Sequence, residues 1–83
     1  MAPRSFLLTD DLDAYVRAHT VAFDEVLERL TQRTAALGDV AGMQIGPDQA
    51  AFLTMLTRFA GVRSAVEVGT FTGTSALCVA RGL

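Results

Sequence analysis

Near the C-terminal end stands the run Val66-Glu67-Val68-Gly69-Thr70-Phe71-Thr72-Gly73-Thr74-Ser75, followed by Ala76-Leu77-Cys78-Val79-Ala80. A β-branched stretch, a turn bounded by glycines and a segment apolar on most sides predict strand, turn and helix in that order. In an open α/β sheet the crevice beyond the carboxyl end of such a strand is where ligands bind, because backbone N–H groups and the helix dipole converge there. Three ligand classes compete for it. Dinucleotides favour G-x-G-x-x-G, and Phe71 stands where the middle glycine is needed. A triphosphate loop needs four residues between its glycines and then Lys, but here there are three residues and the chain has no Lys. What remains is an acidic residue at the strand end, E-x-G-x-x-x-G, with a hydroxyl at Ser75.

Composition narrows the partners. The formal charge is −2 and the pI about 5.1, so there is no basic surface for nucleic acid or anionic lipid. Disorder is disfavoured by a hydrophobic share of 51%. Even so, 83 residues bury only a little over ~60% of their unfolded surface, a marginal core that anticipates a partner or a continuation. The lone Cys78 cannot form an internal disulfide, which suits a reducing compartment. Met1 to Leu8 is too short an apolar stretch for a signal peptide, and nowhere are there the ~18 apolar residues that span a membrane. A soluble cytoplasmic protein is expected.

Upstream, Leu12, Tyr15 and Val16, then Ala22, Phe23, Val26, Leu27, Leu30 and Leu37 recur at helical spacing. Thr9 is the expected N-cap, with Asp10, Asp11 and Asp13 in the first turn and Asp13–Arg17 and Glu25–Arg29 paired at i, i+4. The stripe weakens around Arg17-Ala18-His19-Thr20, which predicts two helices within residues 10–37, Thr20 capping the second. Gly38, Gly42 and Gly46 mark an irregular connection. A helix over 47–61 should start at Pro47, bury Phe52, Leu53, Leu56, Phe59 and Ala60, and end at Gly61. Tyr15 and Phe23 are expected in the core with Phe52 and Phe59, His19 as structural or solvated, and Cys78 as an inert small hydrophobe.

Residues 64–83 thus hold one strand, the glycine turn and one helix, and one strand cannot make a sheet. A βαβ unit takes roughly 30 residues. The expected fold class is α/β, with residues 1–83 a single incomplete domain: the N-terminal portion of a doubly wound, Rossmann-like domain, or a chain that needs another copy to complete its sheet.

The ensemble of Met43-Gln44-Ile45-Gly46-Pro47-Asp48-Gln49, Phe52-Leu53, Val66 to Gly73 and Ser75-Ala76-Leu77 resembles the caffeoyl-CoA and catechol O-methyltransferases, class I S-adenosylmethionine-dependent enzymes that are small and metal-dependent. The likeness runs from Arg4 onward, since Leu7, Asp10, Leu12 and Tyr15 fall where that family's first helix begins. It implies S-adenosylmethionine as cofactor and a small-molecule hydroxyl as methyl acceptor. Met43 and Ile45 would present backbone groups to the methionine end, Glu67 would help bind it, Gly69 and Thr70 would line it, and the Ser75 hydroxyl would hydrogen-bond it. A cofactor with cationic ammonium and sulfonium groups and an anionic carboxylate suits one carboxylate beside a cluster of N–H donors. The family's divalent metal is also implied, but its ligands, like the ribose carboxylate about 20 residues past the turn, fall beyond Leu83. Catalytic residues are therefore not assignable, a homo-oligomer is expected, and the 83 residues alone are expected to be inactive.

Other roles stay open for each residue. Glu67 could be a strand-end carboxylate satisfied by nearby N–H groups, Gly69 and Gly73 could serve only a tight connection, Ser75 could cap the helix, and Met43 and Ile45 could be core plugs. The rival to an enzyme segment is a non-catalytic binding or assembly module.

Overall fold

The computed structural model describes residues 7–83, so Arg4 lies outside the described residues. In chain order come α1 (Asp10–Ala18), α2 (Glu25–Ala35), a 3-10 turn (Gly38–Met43), α3 (Pro47–Phe59) and α4 (Thr74–Gly82). None of these helices is long and apolar enough to cross a membrane.

Local chemistry accounts for the starts and stops. Thr9 Oγ1 accepts the Leu12 N–H at 3.3 Å, and Arg17 Nε donates to Asp13 Oδ2 at 2.9 Å, four residues away on the same face. Thr20 does not cap the next helix. Its hydroxyl turns back to the Val16 carbonyl at 2.6 Å and closes α1. Asp24 is the N-cap of α2, its Oδ1 accepting the Leu27 N–H at 3.0 Å. Its carboxylate also meets Arg81 Nη2 at 2.8 Å, tying the positive end of α2 to the last turn of α4. His19 is exposed, as expected of a solvated residue. Its ring stacks on Tyr15 with centroids 4.0 Å apart, and its Nδ1 donates to the Tyr15 carbonyl at 2.8 Å.

The α3–α4 pair packs with the opposite face of α3 from the one its apolar stripe predicts. Ala50, Thr54 and Thr57 face α4; Ala50 and Thr57 are buried, and the Thr54 hydroxyl donates to the Cys78 carbonyl at 2.9 Å. A Cβ built on Gly82 would lie 2.7 Å from both the Thr54 carbonyl oxygen and Thr57 Cβ, so small residues are what bring the backbones together. Phe52, Met55, Leu56 and Phe59 are left exposed, Phe59 at 88%. Tyr15 is exposed as well, and of the four expected core aromatics only Phe23 packs on the core, beside Leu30, Ile45 and Leu77 around buried Leu27, Ala50 and Cys78.

The expected strand is not formed among the described residues. Residues 62–67 have no regular secondary structure, and Val66 and Val68 are each 95% exposed. β-branched side chains favour a pleated, half-buried surface only where a neighbouring strand supplies ladder hydrogen bonds and a layer covers the face. Neither is present among the described residues, so the described architecture is helical.

Candidate functional site

The glycine turn is shaped by backbone conformation. Gly69 and Gly73 have φ of 79° and 103°, the left-handed region that glycine occupies without a Cβ penalty. Between them Phe71 takes φ 54°, uncommon for a bulky residue. The Gly73 N–H closes the turn onto the Thr70 carbonyl at 3.1 Å, and the Gly73 carbonyl receives the Leu77 N–H at 2.9 Å as α4 begins. Ser75 is not the helix cap, because Gly73 occupies that position and the Ser75 hydroxyl donates to Glu67 Oε1. Glu67 therefore sits at the positive end of α4, where a carboxylate is favoured.

Five of the residues singled out in the sequence, Met43, Ile45, Gly69, Thr70 and Ser75, line one cleft of about 70 Å³, and Glu67 reaches its edge through Ser75. Segments separated by more than twenty residues of chain thus form two walls of one concavity. Small-molecule sites usually measure roughly 300–1,000 Å³, so this cleft of about 70 Å³ is too small to enclose a whole cofactor.

Gln44, Phe71, Thr72 and Thr74 share the same cleft, and the motif reading passed them over. Phe71 could have been found, as a large residue standing where a turn wants glycine. Nothing local distinguishes Gln44, whose position between Met43 and Ile45 acquires meaning only through its partners. Its buried amide Nε2 donates to Thr74 Oγ1 at 2.9 Å and Thr31 Oγ1 at 3.2 Å. The Thr31 hydroxyl already gives its proton to the Leu27 carbonyl at 2.9 Å, so it can only accept from Gln44, which fixes the orientation of the amide. By the same logic Thr34, donating to the Leu30 carbonyl at 2.7 Å, accepts from the Thr72 hydroxyl at 2.9 Å.

A second cleft, about 660 Å³, lies between the start of α2, α3 and α4, with Phe23, Met55, Phe59 and Arg58 on its walls and no residue of the glycine turn. Its walls combine the apolar Phe23, Met55 and Phe59 with the charged Arg58 and the Asp24–Arg81 pair. Cys78 borders it as a buried thiol whose pKa is raised above the ordinary 9.0, chiefly by removal from water, and so stays protonated. Among the described residues no three His, Cys, Asp or Glu side chains come together as a metal site.

Comparison with known proteins places these features in a family. A sequence profile described as O-methyltransferase matches residues 17–83. A protein of Arabidopsis thaliana, provisionally named a caffeoyl-CoA O-methyltransferase, is 32% identical over 74 residues, covering 88% of this chain and 30% of its own length. The chain therefore spans about 30% of the length of the curated relative it matches. No solved structure matches it at a significant level.

Proposed function

The chain belongs to the O-methyltransferase family, and from that premise we propose that it is the N-terminal cofactor-binding segment of an S-adenosylmethionine-dependent enzyme that methylates a hydroxyl of a small molecule. The family implies a Rossmann-like α/β domain, in which residues 64–68 would become a strand once paired. The observation that carries the proposal is the convergence of Met43, Ile45, Gly69, Thr70 and Ser75 on one cleft with Glu67 at its edge.

The residues present fit the methionine end of such a cofactor. Glu67 offers an anionic acceptor for an ammonium group, the first turn of α4 offers N–H donors for a carboxylate, and the open glycine turn lets the backbone approach. When bound, the cofactor supplies an electrophilic methyl on a sulfonium. In this reading Glu67 and Ser75 orient the donor, Gly69 and Thr70 line it, and Met43 and Ile45 present backbone groups to its methionine end from the opposite wall. Holding the two reactants close and aligned is worth several kcal/mol, up to about 7–11 in the best intramolecular cases. The described residues do not fit a divalent metal, so no step is assigned to one here. Within this proposal the 83 residues hold the donor, and the acceptor is met by groups outside them.

The test is calorimetric titration of the chain with S-adenosylmethionine and S-adenosylhomocysteine. Binding is expected, with Glu67→Ala weakening it by about 1–3 kcal/mol, the usual cost of losing a charged hydrogen-bond partner. An unchanged dissociation constant in a folded Glu67→Ala chain reduces Glu67 to a structural carboxylate. A second reading, a non-catalytic assembly module, draws on the exposed Phe59, Val66 and Val68. It gains if the chain self-associates and binds neither ligand.

A further inference from the structure

We infer that Gln44, itself on the lining of the cleft, is a positioning residue that clamps its two walls together, setting the separation at which the Met43–Ile45 connection faces the glycine turn. The inference rests on the proposed cofactor reading for its functional consequence, but not for its mechanical content. One primary amide makes both bonds: Nε2 to Thr74 Oγ1 at 2.9 Å on the first residue of α4, and Nε2 to Thr31 Oγ1 at 3.2 Å on α2. Gln44, Thr31 and Thr74 are all buried, so each bond is made away from competing water, and loss of the amide would leave hydroxyl acceptors without their donor.

The clamp has a second anchor. Thr34, 1% exposed, receives the Thr72 hydroxyl at 2.9 Å, so α2 holds the turn directly through Thr34 and indirectly through Gln44. Both anchors spring from one face of α2, three residues apart, and each threonine is pinned by its own hydroxyl proton on the carbonyl four residues earlier. The cleft between the walls is about 70 Å³, so a shift of an ångström in either wall is large relative to it. Thr31 and Thr34 lie outside the lining and act through Gln44, Thr72 and Thr74, which are part of it.

Two readouts on the full 83-residue chain separate this clamp from mere structural support and from the cofactor reading. The first is amide exchange at Gly73, whose N–H is bonded to Thr70 within the turn and lies far along the chain from position 44. The second is the dissociation constant for S-adenosylhomocysteine. Gln44→Leu, similar in size but without hydrogen-bonding groups, should speed Gly73 exchange by about fivefold while helix content by circular dichroism is retained. Its affinity should fall by about tenfold. Thr31→Ser, which keeps the hydroxyl, should match the parent in both readouts. Thr31→Val should resemble Gln44→Leu, and the exposed Gln32→Leu should change neither. Unchanged Gly73 exchange in folded Gln44→Leu overturns the clamp. If Gln44→Leu does not fold, Thr31→Val against Thr31→Ser decides it by the same two readouts. If the parent binds no S-adenosylhomocysteine, the cofactor reading fails while Gly73 exchange still decides the clamp.

Discussion

Glycines at Gly73 and Gly82 are required for opposite reasons, and substitution separates them. Gly73 has open space where a Cβ would go but a φ of 103°, so Gly73→Ala should cost about 1–2 kcal/mol through backbone strain alone. At Gly82 the difficulty is contact with Thr54 and Thr57, and Gly82→Ala should cost about 1–3 kcal/mol by forcing α3 and α4 apart. Urea denaturation of both variants measures the sizes. Thr57→Ser, which removes the methyl within 3.0 Å of the added Cβ, should recover part of the Gly82→Ala loss and none of the Gly73→Ala loss. Cys78, 3% exposed and with its thiol pKa raised by burial, should react with an aromatic disulfide at pH about 8 far more slowly in the folded chain than in urea. Equal rates would mean that α4 does not stay packed on α3.

Between elements, the Asp24 contact gives the fold a dependence on pH whose direction follows from its partners. The Asp24 carboxyl is held below its ordinary 3.8, first by the Leu27 N–H it caps and then by Arg81. A carboxylate with a depressed folded-state pKa contributes stability that is present above the unfolded value of 3.8 and is lost as pH falls through the lower folded value. The chain should therefore weaken on acidification below about pH 4, and Asp24→Asn, which keeps an acceptor for the cap, should flatten that acid limb. Asp24 is exposed, so added salt should shrink the difference between the two proteins. Thermal melts across the acid range, with and without salt, test both statements. A steeper acid limb in Asp24→Asn would contradict the assignment.

Among the exposed apolar surfaces of the described residues are the outward face of α3, beside the 660 Å³ cleft, and the segment carrying Val66 and Val68. Patches of this kind on a small domain mark interaction surfaces, and unpaired β-prone backbone is a template for pairing. The 83-residue chain should sediment as a dimer or larger species at micromolar concentration. Val66→Lys with Val68→Lys should shift it toward monomer without loss of helix content. A monomer at all concentrations, with strongly protected amides across 65–68, would show that this segment is satisfied within the chain.

Thr9 before α1, Pro47 opening α3 and the glycines bounding the turn were legible from local signals, but Asp24, which caps α2 through an equally local bond to the Leu27 N–H, was not. Thr20 was misassigned although its chemistry was right, because a threonine can close the helix behind it as readily as open the one ahead, and only the position of the Val16 carbonyl decides. The cleft's lining was legible through the resemblance of its motif, whereas Gln44 was not, since its amide finds Thr31 and Thr74 thirteen and thirty residues away. The sequence alone determined local matters, namely the starts of α1 and α3, which turn needs positive φ and which carboxylate precedes it, because these depend on groups within a few residues of one another. Tertiary structure decided which face of α3 is buried and whether residues 64–68 are a strand. A stripe's burial and a strand's ladder are both properties of the surface opposite, and that surface is written nowhere in the segment itself.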